Sequence, residues 1–184
     1  MNKFIGHFKT ITYHKWLVMQ YCFKMGLFKQ GILHDMSKYS YTEFIVGAKY
    51  FQGNRSPNNA EREDIGYSSS WLHHKGRNKH HYEYWIDYSG RKDAPLTGMK
   101  IPEKYVIEML ADRIAACKVY QKEMYTDSSP LEYYMQGRDF VIMHPKAQKL
   151  LEKLLCMLSK KGEKYTLDYA RKLVKQINKG KKLY

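Results

Sequence analysis

A single acidic residue, Asp112, interrupts the apolar face of the longest helical pattern in the chain. Val106, Met109, Leu110, Ile114, Ala115 and Cys117 recur at helical spacing after Pro102, which suits the first position of a helix running to about Met124. In Met109-Leu-Ala-Asp112-Arg-Ile-Ala-Ala the neighbours of Asp112 at i−3, i−2, i+2 and i+3 are apolar or small. A carboxylate on such a face is costly to bury unless a cation, a metal or hydrogen bonds meet it. The fold must therefore bring partners to Asp112 from elsewhere in the chain.

The remaining pattern is all-α. Five prolines and 12 glycines among 184 residues suit helices better than many short strands, and no internal repeat or strand-like alternation occurs. The spacing predicts a buried helix over about Phe4–Met25, ended by Gly26, and a short helix from Leu27-Phe28 through His34-Asp35. Ser40-Tyr-Thr-Glu43 reads as a capping box opening a helix through Phe44, Ile45, Ala48 and Phe51. Residues 53–59 (GNRSPNN) have loop composition. Helices are expected over about Ala60–His74, from His80 through Tyr88, and over about Pro145–Lys160 and Thr166–Lys179, with a polar loop from Ser89 to Lys100.

Composition narrows the class. Apolar residues make up 43% and charged ones 27%, as in soluble globular proteins, and no stretch reaches the roughly 20 apolar residues of a membrane span. Met1-Asn2-Lys3-Phe4 lacks the apolar run of a secretory signal, so no membrane partner and a cytoplasmic location are expected. Cys22, Cys117 and Cys156 are far apart among apolar neighbours and read as small buried hydrophobes. Trp16, Trp71 and Trp85 read as core anchors. The net charge of +14 is uneven: residues 144–184 hold 12 of the 32 lysines and arginines but only 3 of the 18 acids. A basic C-terminal portion of this kind suits a solvated helix face or a nucleic-acid partner.

Seven of the eight histidines lie in the first 81 residues, four of them in His73-His74-Lys-Gly-Arg-Asn-Lys-His80-His81. Imidazole and carboxylate together suit transition metals. His34-Asp35 follows apolar Ile32-Leu33, where a charged Asp again needs a partner. His74 and His81 are seven apart, as are His73 and His80, and either pair would share a face of a continuous helix. Gly76 argues against continuity, and His74 with His81 is the preferred pair. Lys38, Arg77 and Lys79 are candidate phosphate-binding cations, and Glu83 and Asp87 are candidates to orient imidazoles. His7 reads as a core or surface histidine, and His144 before Pro145 as a helix-end residue.

His14, His34-Asp35 and Asp112, in that order on separate segments, resemble the H…HD…D signature of HD-domain metal-dependent phosphohydrolases. Gly31-Ile-Leu-His34-Asp35-Met-Ser-Lys38 is similar to the HDxxK form of that signature. The runs around His34–Phe44 and Trp71–Trp85 also resemble a family of uncharacterised bacterial and phage proteins, over roughly residues 10–125. The resemblance implies an HD-like helical bundle in a single domain, 1–184, with its metal-site core in about 10–125.

The resemblance further implies that His14, His34, Asp35 and Asp112 hold one metal, and that Asp35 bridges to a second ion at the histidine cluster. One or two ions of Mn, Fe, Zn, Co or Ni are expected. Two such cations acidify water and stabilise entering and leaving oxygens at phosphorus. His34, Asp35 and Lys38 become the catalytic candidates, and a nucleotide or other phosphate ester the substrate. The HD-type alternative is a di-iron oxygenase with the ligand order His14, His34, Asp35, His74, His81, Asp112. A third possibility is a non-catalytic nucleic-acid-binding protein acting through its basic C-terminal portion. In two-metal HD proteins the middle histidines are commonly twenty or more residues apart, whereas here they are confined to nine.

Overall fold

The computed structural model describes residues 2–184, in which eight α-helices and one two-stranded hairpin are joined by short 3-10 turns. The all-α expectation holds. Helix α1 (Lys3–Met25) starts where the Asn2 side chain accepts the Phe4 N–H and ends at Gly26 in the left-handed region, φ 85°. Helix α2 (Phe28–Leu33) folds back onto it so closely that a Cβ at Gly31 would sit 2.9 Å from Cys22 Cβ. Then come α3 (Tyr41–Lys49), α4 (Pro57–Ile65) and α5 (Ser69–Lys75). A hairpin pairs β1 (Ile86–Tyr88) antiparallel with β2 (Leu96–Gly98), Asp87 opposite Thr97. Helices α6 (Glu103–Gln121), α7 (Ser129–Gly137) and α8 (Pro145–Asn178) complete the chain.

One core forms where α1, α6 and α8 meet, built from Val18, Cys22 and Met25, from Ile107, Leu110 and Ile114, and from Leu151, Leu154, Leu155 and Leu158. The α8 leucines recur at i, i+3, i+4 and i+7, an apolar stripe with lysines on the other side. Each fully buried leucine contributes roughly 1.5–3 kcal/mol. The basic C-terminal portion is thus bolted to the same core as the histidine-bearing helices. No described helix is long and apolar enough to cross a membrane.

Several expected elements differ. The helix expected over Ala60–His74 is two helices, because Gly66 adopts φ 82° and ends α4. The stretch expected to be helical from His80 to Tyr88 is a turn, a 3-10 segment (Tyr82–Trp85) and β1, and the loop expected from Ser89 to Lys100 contains β2. Pro102 caps α6 rather than opening it, and α6 stops at Gln121. The two C-terminal helices are one element broken at Gly162 (φ 80°, ψ 170°), where Asp127 Oδ2 accepts the Glu163 N–H at 3.1 Å and restarts the helix. Cys156 is exposed, unlike Cys22 and Cys117, and Trp16 is 46% exposed, so neither belongs to the core. His7 is buried and His144 caps α8, as expected.

Candidate metal centre

His34 and Asp35 lie just past the end of α2, not on it. His34 is the C-cap, and Asp35 takes the left-handed conformation (φ 53°, ψ 25°) that a short polar side chain tolerates best after glycine. Lys15 holds this turn from α1, its Nζ donating to the carbonyls of Ile32 at 2.6 Å and His34 at 2.8 Å. Both residues of the pair are buried: His34 is 2% and Asp35 1% exposed. The side chains diverge because the backbone turns between them, not because successive residues sit around a helix.

The two oxygens of Asp35 face two different sets of donors. Oδ2 lies 3.5 Å from His14 Nε2 and 3.2 Å from His34 Nε2, and Asp112 Oδ1 lies 3.0 Å and 3.5 Å from the same two nitrogens. Oδ1 lies 3.3 Å from His74 Nε2 and 3.3 Å from His80 Nε2, while His81 Nε2 is 2.9 Å from His74 Nε2. Within each set, His14–His34–Asp35–Asp112 and Asp35–His74–His80–His81, one donor atom per residue lies within 4.8 Å of every other. The sequence expectation of His14, His34, Asp35, His74, His81 and Asp112 is brought together whole. His80, a second choice, joins it. His73 does not: its Nδ1 turns to Glu43 Oε1 at 2.6 Å.

A short turn explains how histidines so close in sequence build one set. Helix α5 ends at Lys75, and Asn78 folds the chain back, its Nδ2 donating to the His74 carbonyl at 2.8 Å and to Ser37 Oγ at 2.8 Å. His74 comes from the helix end, and His80 and His81 from the returning strand of chain. Glu61, 2% exposed, fixes the start of α5 by accepting from Ser68 Oγ, Ser69 Oγ and Ser69 N.

Two carboxylates that the sequence reading missed orient the imidazoles. Glu108 Oε1 lies 3.0 Å from His34 Nδ1 and 3.2 Å from His80 Nδ1. Glu43 Oε2 lies 2.8 Å from His74 Nδ1. A ring whose Nδ1–H donates to a carboxylate presents the Nε2 lone pair to a metal. Glu43 had been read as half of a capping box; Ser40 Oγ does accept the Glu43 N–H, at 3.5 Å, but the Glu43 side chain points into the site. Glu108 sits one turn before Asp112 on α6, a spacing that was available as a signal. Of the expected orienting residues, Glu83 makes no hydrogen bond to an imidazole and Asp87 is exposed on β1.

The electrostatics favour ionised acids. Burial opposes charge on Asp35, but His34 and Lys38 hold its carboxyl well below the usual range, and His14 and His34 do the same for Asp112. Burial works against charge on His34 too, yet Asp35, Asp112 and Glu108 raise it well above a free imidazole. Burial, with His80 and His74 nearby, pushes His81 well below. Lys38 Nζ lies 2.6 Å from Asp35 Oδ2, an ion pair. Both Asp35 oxygens and His80 Nε2 are buried without any hydrogen-bond partner. Buried polar atoms without a hydrogen bond are rare and costly; Asp35 Oδ2 has the Lys38 charge beside it, and Asp35 Oδ1 and His80 Nε2 face each other at 3.3 Å. The residues of each set could hold a metal ion.

A cavity of about 720 Å³ opens on both sets and is lined by His14, Lys38, His80, His81, Asp112 and Arg113, among others. Lys38 reaches it as expected. Arg77 and Lys79 do not: both are exposed, Arg77 donating to the His73 carbonyl at 3.3 Å and Lys79 lying 5.8 Å from the Tyr84 ring. Trp71 is packed against His81, its ring 4.7 Å away.

No curated protein and no solved structure matches the chain. Residues 3–157, a span that includes every residue of both donor sets, match the family described as a family of unknown function, DUF5662. The chain is therefore a member of the DUF5662 family.

Proposed function

We propose that this chain is a metal-dependent phosphohydrolase of HD type acting on a nucleotide or other phosphate ester. The observation that carries the proposal is the Asp35 carboxylate, which offers one oxygen to each of two donor sets. His14, His34 and Asp112 would hold one ion, His74, His80 and His81 the other, and Asp35 both. A divalent transition metal bound there would supply Lewis acidity and acidify water near neutral pH. Glu108 and Glu43 keep the imidazoles in the ligating tautomer. Lys38, held against Asp35, places a cation where negative charge gathers on the non-bridging oxygens. The cations on the cavity wall favour phosphate chemistry over C–H oxidation by a di-iron relative.

The test is metal content by inductively coupled plasma mass spectrometry on the untagged protein, Asp35→Ala and Asp112→Ala, followed by a phosphate-ester panel. The expected result is one or two equivalents in the parent, loss in both variants, and hydrolysis that follows metal content. No metal bound after reconstitution, or full retention in both variants, would overturn the proposal.

A further inference from the structure

Three cations line the cavity over the donor sets: Lys38, Arg55 and Arg113. Lys38 is committed to Asp35. Arg55 is committed to Glu63 through paired bonds of 2.6 Å and 2.5 Å. Arg113 differs from both. Among the described residues its guanidinium makes no ion pair within 4.0 Å and no hydrogen bond, although Glu83 on the same wall feels its charge. The Tyr134 ring lies beneath it, its centroid 5.3 Å from the guanidinium carbon.

A half-buried guanidinium with no carboxylate in direct contact keeps its N–H donors free to meet an anion. Tyr134 is itself buried, and its hydroxyl is held by Glu152 at 3.0 Å and Gln148 at 3.1 Å, so the face under Arg113 is rigid. Arg113 follows Asp112 on α6. Successive helical side chains diverge by about 100°, so Asp112 enters the donor set while Arg113 joins the wall beside it.

We propose, building on the phosphohydrolase reading, that Arg113 recognises the phosphoryl group and selects phosphomonoesters over diesters. The fork of a guanidinium takes two non-bridging oxygens at once. Ions held at the donor sets would take at least one more such oxygen, and only a monoester offers three. The sequence reading gives this role to Lys38, Arg77 and Lys79.

The experiment compares the manganese-loaded parent with Arg113→Gln, Arg113→Lys and Arg77→Gln. It measures metal content, the affinity for inorganic phosphate by calorimetry, and turnover of p-nitrophenyl phosphate and bis-p-nitrophenyl phosphate. Arg113→Gln is expected to keep its metal, lose phosphate affinity about tenfold or more and lose the preference for the monoester. Arg113→Lys should recover part of the affinity but little of the preference, and Arg77→Gln should match the parent. Unchanged phosphate affinity in metal-replete Arg113→Gln overturns the role of Arg113 and leaves the phosphohydrolase reading standing. Loss of metal in both Arg113 variants overturns it too, because Arg113 would then act on assembly of the centre. A metal-loaded parent that neither binds phosphate nor cleaves either ester overturns both readings.

Discussion

His34 and His80, from segments far apart in the chain, share one acceptor: both present Nδ1 to Glu108 Oε1, at 3.0 Å and 3.2 Å. Their Nε2 atoms then look toward opposite oxygens of Asp35, His34 to Oδ2 and His80 to Oδ1. A single carboxylate on α6 thereby sets the ring orientation in both donor sets.

Replacing Glu108 by Gln should therefore weaken both sites together. Loss of an orienting carboxylate costs about 10–100-fold in metal affinity, and competition titration against a chelator would measure it. The variant should stay folded, since the amide fills the same volume.

Glu43→Gln should act on one site only. Glu43 holds His74 and His73 and touches no member of the His14 set. Stepwise metal titration should show one equivalent weakened by about tenfold or more and the other unchanged. Equal weakening of both would contradict the separation of the two sets.

Removal of metal should destabilise the fold. At a free metal concentration 100 times Kd, binding stabilises by about 2.7 kcal/mol, which for a chain of this size corresponds to roughly 5–10 °C in Tm. Thermal denaturation with and without chelator reads the difference, and Asp35→Ala should show none.

Lys15→Met should loosen the turn that carries His34 and Asp35. The ammonium satisfies two carbonyls at the end of α2, and losing these charge-assisted bonds costs about 1–3 kcal/mol. Denaturant unfolding should show that loss, with weaker metal binding alongside.

The acid limb of stability should carry a contribution from His7. Burial, and then Lys38, lower His7 from 6.5 to about 4. The unfolded chain binds a proton at His7 between these values and the folded chain does not. Stability is therefore complete above about pH 6.5 and falls as pH drops toward 4, by about 2–3 kcal/mol from this group alone. His7→Met, measured against the parent from pH 4 to 7, should flatten the profile by that amount. The space is tight, since a Cβ at Gly47 would collide with the His7 ring, so a somewhat lower stability at neutral pH accompanies the change.

Much of the framework was legible because α1, α3 and α6 obey one period and end on recognisable signals. Asp112 was visible as a charge on an apolar face, and His34-Asp35 as a charge after an apolar lead-in. The histidine cluster was harder. Periodicity assumes that a helix continues, and the Asn78 turn breaks it through side-chain bonds to a carbonyl and to Ser37 that no spacing rule reports. Glu43 was hidden because its position also satisfies a helix-start pattern, and the local reading displaced the tertiary one. Lys15 and Arg113 carry no sequence signal that sets them apart from other helix cations. What distinguishes them is what they touch, the α2 carbonyls in one case and the Tyr134 ring on the cavity wall in the other.

The Asn78 turn has a consequence for the order in which the centre comes into being. Most of the histidine set is closed by a loop of a few residues between His74 and His81, so little chain entropy opposes its formation. The other set needs residues 14, 34 and 112 together, and forms only once α6 has docked on α1. His74, His80 and His81 are brought near one another as soon as their turn closes. His14 and Asp112 meet only in the finished molecule, so occupancy of their site is a certificate that the chain is fully assembled.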